Sequence, residues 1–218
     1  MEDRRPSVLK PAIDPALEMS DSDLFWQDNW RKFAWGLALL VLAILLVGAW
    51  FLYQGHVRNS SESLYSAASG PDGWKAVVAQ YPGSIPAGNA QLQLAASLRA
   101  QGDLEGAAVQ LDELIARQPR HPLIGAAWLS LAEVRMMQGD AGAALDAYRT
   151  ASGGHRESYA APLALLGEAR LLANQSKEGE ARAVLESVGM LYPETPAAMM
   201  AAAELARMGK PGEAPPAE

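Results

Sequence analysis

The sequence predicts an all-α protein, with a single N-terminal transmembrane helix followed by an α-solenoid of helix pairs. Three observations predict it. An uninterrupted apolar run from Phe33 to Tyr53 has the length of a bilayer span. The chain beyond it aligns with itself at a shift of 37 residues without gaps. Within each unit, apolar residues recur at helical spacing on either side of a short turn.

The run reads FAWGLALLVLAILLVGAWFLY, 21 residues with no charge, Pro, Asn or Gln. A helix of that length covers roughly 31 Å, about the hydrocarbon thickness of a bilayer. Twelve of the 21 are Leu, Ile, Val or Phe, which makes insertion favourable by several kcal/mol. A cleaved signal is the competing reading, because Val47-Gly48-Ala49 resembles a small-residue cleavage site. The core is too long for a signal and continues through Trp50 to Tyr53, and the segment before it is long and acidic. A retained anchor is therefore expected. Trp26, Trp30 and Trp35 on one side and Trp50 and Tyr53 on the other suit the headgroup level. Ser20 to Asp23 offers N-caps, so a juxtamembrane and transmembrane helix is expected over 22–56, with its span at about 33–53. Residues 1–21, with Pro6, Pro11 and Pro15, read as a flexible tail. Arg31 and Lys32 outnumber Arg58 near the two ends, which favours a cytoplasmic N-terminus and a repeat domain on the outer side.

The repeat is carried by small and large apolar positions. Ala95, Ala132 and Ala169 coincide, as do Ala107, Ala144 and Ala181. So do Leu92, Leu129 and Leu166, and the large residues Leu111, Tyr148 and Leu185. Gln101-Gly102-Asp103 matches Gln138-Gly139-Asp140; Gly ends one helix and Asp caps the next. The first helices of the units are expected over roughly 87–100, 122–137 and 158–173, and the second over 104–117, 141–152 and 178–191. Residues 57–86 read as a linker helix and a degenerate leading repeat, with Trp74, Val77 and Pro82 in repeat register. Residues 87–209 hold three repeats and a closing helix, and 210–218 a disordered tail. The alanines mark close approach of helix backbones.

This pattern resembles tetratricopeptide repeats. Leu94, Ala95, Leu98, Ala107, Leu111, Leu114 and Pro119 stand at the family's spacings in the first unit. Trp128, Leu131, Ala132, Ala144, Tyr148 and Ala151 do so in the second, and Ala169, Leu172, Ala181, Leu185, Val188 and Pro193 in the third. Glu168 stands where the family has leucine, and each unit carries three residues more than the usual 34. The layout is also similar to the bacterial YfgM-like family, the ancillary subunit of the SecYEG translocon. The shared features are Phe25, Trp26, Trp30, Arg31 and Lys32 before the span, and Tyr81-Pro82-Gly83-Ser84 before the repeats. That resemblance implies a protein of the bacterial inner membrane with translocon subunits and envelope chaperones as partners.

The repertoire for chemistry is small. There are no cysteines, and His56, His121 and His155 are scattered, so no metal site or cofactor is expected. The part after the span is mildly acidic, which argues against nucleic acid. No nucleophile motif or phosphate loop is present, and an enzyme is not expected. The expected function is a membrane-anchored scaffold for protein–protein interaction; the alternative is a self-associating organiser of envelope or cell-division assembly. On the first-helix face the candidates are Asn89, Leu92 and Arg99, then Leu129, Glu133 and Met136, then Leu166 and Arg170. The leucines have a second reading, as helix-on-helix packing.

The close-approach assignment is testable. Ala144→Leu should overpack the contact and destabilise by roughly 1–3 kcal/mol. A thermal melt of the soluble fragment left unchanged by the substitution would contradict the assignment.

Overall fold

The computed structural model describes residues 21–209, and the expected tails lie outside these apart from Asp21. Among the described residues every element is helical: α1 (Asp21–Ala67), α2 (Gly70–Gln80), α3 (Ile85–Ala100), α4 (Leu104–Arg117), α5 (Ile124–Met137), α6 (Ala141–Gly154), α7 (Ala160–Asn174), α8 (Glu178–Leu191) and α9 (Pro196–Arg207). Each of α3 to α8 begins and ends within two residues of the span expected from the sequence. The chain divides into two units, Met1–His56 and Val57–Glu218.

In the first unit, every residue from Phe33 to Tyr53 is exposed. A helix apolar on all sides with nothing packed on it has no way to hide that surface from water by itself. By length and composition it can cross a membrane.

The second unit is an α-solenoid. The helices stack in chain order, and the first helices also touch one another, α5 on α7 and α7 on α9. Near the start, Leu64 and Tyr65 of α1 pack with Trp74 and Val77 of α2 and with Ala87 and Ala90 of α3. The last turns of α1 thus cover the apolar end of the α2–α3 pair. The core then passes along the array as a series of clusters. Ala107, Leu111 and Leu114 of α4 meet Ala127 and Leu131 of α5. Ala144, Tyr148 and Ala151 of α6 meet Ala164 and Leu171 of α7. Leu166 and Ala169 of α7, Leu185 and Val188 of α8, and Ala197 and Ala201 of α9 complete the series. Ala107, Ala144 and Ala181 are wholly inaccessible to solvent. Their missing side-chain volume lets the paired backbones come together.

The turns inside the units share one geometry. Gly102 and Gly139 have φ of 84° and 82°. The amide of Asp103 donates to the carbonyl of Leu98 at 2.9 Å, and that of Gly102 to Arg99 at 3.0 Å. Asp140 to Arg135 and Gly139 to Met136 repeat the pair at 2.9 and 3.0 Å. These are the two bonds that close a helix on a left-handed residue. The aspartates then cap the next helix, Asp103 accepting from the Gly106 amide at 2.8 Å and Asp140 from Ala143 at 2.9 Å. The third turn keeps the backbone bonds, Lys177 to Leu172 at 3.0 Å and Ser176 to Ala173 at 2.9 Å. It has neither the glycine nor the aspartate. Ser176 takes the left-handed conformation at φ 59°, and Lys177 supplies no side-chain cap.

The links between units are longer, Gln118–Leu123 and His155–Tyr159, and hold the residues beyond the usual repeat length. In the first, buried His121 ties the link to α3. Its Nδ1 accepts from the Leu123 amide at 3.1 Å, which leaves Nε2–H to donate to the Ile85 carbonyl at 3.1 Å. Gly88 makes room for the ring: a Cβ there would stand 2.5 Å from Nε2. One period on, Gly125 makes the same room for Ser158, whose Oγ would lie 2.7 Å from such a Cβ.

The strained third turn gives a sign prediction. A left-handed L-residue costs roughly 1–2 kcal/mol, offset in part by the greater freedom of glycine in the unfolded chain. Ser176→Gly should therefore stabilise by about 0.5–1 kcal/mol, and Gly139→Ala should destabilise by about 1 kcal/mol. Urea midpoints of the purified chain check both; a lower midpoint for S176G would refute the strain.

Candidate partner-binding face of the first helices

The first helices α3, α5, α7 and α9 lie in series, so residues a repeat apart face their counterparts across the helix–helix gaps. Charged side chains join across two of these gaps. The Arg99 guanidinium of α3 donates to the Glu133 carboxylate of α5. Arg170 of α7 lies 3.5 Å from Glu204 of α9. One member of each pair acts on Tyr148 of α6. Burial raises the pKa of its hydroxyl above the usual 10, the negative charge of Glu133 raises it further, and Arg170 opposes both. Glu133 and Arg170 thus act on the same phenol from opposite directions. The face carries alternating charge, Arg99, Glu133, Arg170 and Glu204.

The candidate residues occupy different layers of this face. Arg99, Glu133, Met136, Leu92 and Leu129 are half-buried, and Arg170 is exposed. Leu92 packs against the α3–α5 core, and Leu129 and Met136 against the α5–α7 core. Leu166 is 2% exposed, enclosed in the α7–α9 cluster, and lies beneath the surface. The three leucines therefore do not share one open stripe. The Asn89 side-chain oxygen is closed off from solvent and has no hydrogen-bond partner among the described residues. Arg99 is brought to Glu133, and Arg170 is brought to Glu204, which the repeat pattern did not single out. Glu204 lies on α9, where the repeat pattern had ended. Tyr148 was placed only as a large apolar residue. Its ring lies over Gly167, where a Cβ would stand 2.4 Å from the ring edge.

Two further ion pairs join second helices to the following first helix. Asp112 of α4 meets Arg135 of α5 at 3.0 Å. Arg149 of α6 meets Glu168 of α7 at 2.8 Å. Glu168 is the residue that departs from the family's leucine, and it is 6% exposed. Its carboxylate is satisfied by Arg149, whose pKa is pushed up by that hydrogen bond. Among the described residues no group of three His, Cys, Asp or Glu side chains is placed to hold a metal ion.

Comparison with known proteins fits the repeated fold. The tetratricopeptide repeat-like domain family matches residues 24–187, most of the chain. The chain belongs to that family. No curated protein matches it. Among solved structures it is similar to Podosopora anserina putative kinesin light chain nearly identical TPR-like repeats. There the TM-score is 0.51 at 20% identity, covering 72% of this chain and 79% of that one. A point variant of the same repeats gives 0.52 at 21% identity, covering 72% and 78%. These likenesses establish the tetratricopeptide-like solenoid. Repeats of this family form a protein–protein interaction scaffold, a fold without catalytic chemistry of its own.

Tyr148 gives a direct readout of the face. Its folded pKa is raised, so the neutral hydroxyl stabilises the fold fully below pH 10. That stability is lost as pH rises from 10 through the folded value. In ultraviolet titrations differenced against Tyr148→Phe, Glu133→Gln should lower the Tyr148 pKa and Arg170→Gln should raise it. Two shifts of the same sign would refute the arrangement.

Proposed function

We propose that this chain is a membrane-anchored scaffold that holds a partner polypeptide on its first-helix face, as an ancillary component at the bacterial protein translocon or with envelope chaperones. The observation that carries the reading is the extent of the family match. It begins at residue 24 and takes in the long apolar helix together with the repeats. A family pattern that runs through both the apolar helix and the array supports a task performed beside a membrane. The YfgM-like resemblance supplies the membrane and the partners. The charge bias of Arg31 and Lys32 over Arg58 supports a cytoplasmic N-terminus and repeats on the periplasmic side of the inner membrane.

The face suits an extended or helical polypeptide with charges of both signs. Arg99 and Glu133, then Arg170 and Glu204, offer a ladder of donors and acceptors, partly exposed and already held in place. Half-buried Leu92, Leu129 and Met136 offer apolar floor between them.

Photocrosslinking in intact cells tests this. A crosslinker at Gln93 or Met137, both exposed beside the ladder, in the full chain should capture a translocon subunit or an envelope chaperone. Arg170→Glu should reduce that capture without altering membrane association. Capture of neither class, with the chain present in the membrane, would refute the assignment. A reporter fused after Glu218 that read as cytoplasmic would refute the orientation.

A further inference from the structure

The series Ala95, Ala132 and Ala169 has a fourth member at the same period, Ala206 on α9. The first three are buried, at 3% exposure or less, and Ala206 is exposed. The cause is positional. Each earlier first helix is packed by two second helices: α3 by α2 and α4, α5 by α4 and α6, α7 by α6 and α8. Helix α9 is packed by α8 and, among the described residues, by no second helix of its own. The side of α9 that would receive one carries Met199, Ala202, Ala203 and Ala206, all exposed. Beside it runs an apolar groove of about 400 Å³ between α8 and α9, lined by Gly189 and Met190 on α8 and Ala198, Ala201, Ala202 and Leu205 on α9, with Glu186 on its rim. Met190 and Met199, 74% and 70% exposed, flank it. Among the described residues nothing covers this side of α9, and a side open to water is expected to be polar. This one is alanine and methionine, an adaptable apolar surface.

We propose that this surface is a two-fold interface in which α9 of a second copy of the chain occupies the α8–α9 groove, and the reverse. The exposed side of α9 can receive a helix, since a second helix packs on the corresponding side of each earlier first helix. The exposed stripe Met199–Ala202–Ala206 has the spacing of one helix face, and its small residues permit the close approach that Ala95, Ala132 and Ala169 make to their second helices. One surface therefore supplies both groove and occupant, which is the requirement for a closed isologous contact. Charge complements it. Position 186 is the repeat counterpart of Asp112 and Arg149, which both pair with the following first helix. Glu186 has no ion-pair partner among the described residues. Arg207, exposed and likewise unpaired, is the basic residue of the α9 last turn. Two copies bring two such pairs into reach.

The chain lacks cysteine, so one introduced cysteine reports a contact between copies without background. In membranes holding the full chain, Ala202→Cys and Ala206→Cys should give a covalent dimer on mild oxidation, and Val109→Cys, exposed on α4, should give none. In the detergent-solubilised chain, Ala202→Glu should weaken dimerisation about tenfold or more, since it buries an unpaired charge at the contact. Its helical content should stay as in the parent, because the position is exposed. Arg207→Glu should weaken the dimer, and adding Glu186→Arg should restore it. A monomeric parent chain, equal crosslinking at positions 109 and 206, or crosslinking of position 206 to another protein in place of a second copy would overturn the proposal.

Discussion

The array depends on the close approach of each first helix to its second helix at paired alanines. Ala107, Ala144 and Ala181 are completely enclosed, and Ala95, Ala132 and Ala169 nearly so. With so little side chain at the contact, the backbones come close. Flanking leucines, Tyr148 and Val188 can then reach over the contact into the next unit. A larger residue would push the pair apart and withdraw those side chains from their neighbours. Interiors packed to crystal density have no slack to absorb this. The core of one unit is therefore also the support of the next, and its continuity follows from three small residues per face.

The helices were legible because their signals are local. Apolar periodicity places each helix, Gly102 or Gly139 ends one, and Asp103 or Asp140 starts the next. Each of these acts within about one turn of the residue that carries it. Even the third turn, with Ser176 and Lys177 in place of glycine and aspartate, was found by register, because its backbone bonds are those of the other two. The long α1 was legible as an apolar span and less so beyond it. That its last turns cover the apolar end of the α2–α3 pair depends on Trp74, Val77 and Ala87 meeting Leu64 and Tyr65.

The first-helix face was legible in part, and the reason is geometric. Sequence spacing gives the side of a helix on which a residue lies. The depth at which it sits also depends on how neighbouring helices tilt. Leu92, Leu129 and Leu166 share a register but not a depth, because α8 and α9 close over Leu166. Arg99 and Glu133 were both singled out, yet their pairing needs the α3–α5 distance. Glu204 lay beyond the repeat. Gly88 and Gly125, a period apart, were a signal in the sequence for His121 and Ser158, since glycine inside a helix usually carries a packing reason.

The ion pairs between units add order to a fold that apolar packing leaves degenerate. Units with the same alanine and leucine pattern present apolar surfaces that do not tell one neighbour from another. The charged position on the second helix does discriminate, because it changes sign along the chain: Asp112, then Arg149, then Glu186. Asp112 meets Arg135, and Arg149 meets Glu168. Exchanging α4 and α6 would set Arg149 against Arg135 and Asp112 against Glu168, two like-charge contacts, one of them with a buried carboxylate. Glu168 departs from the family's leucine at a cost in desolvation, and burial of such a pair does not by itself favour the fold over leucine. What it adds is discrimination. A mis-stacked unit would leave a buried carboxylate without its guanidinium, which is strongly destabilising. The departure from the repeat pattern is thus a residue that distinguishes one unit from another.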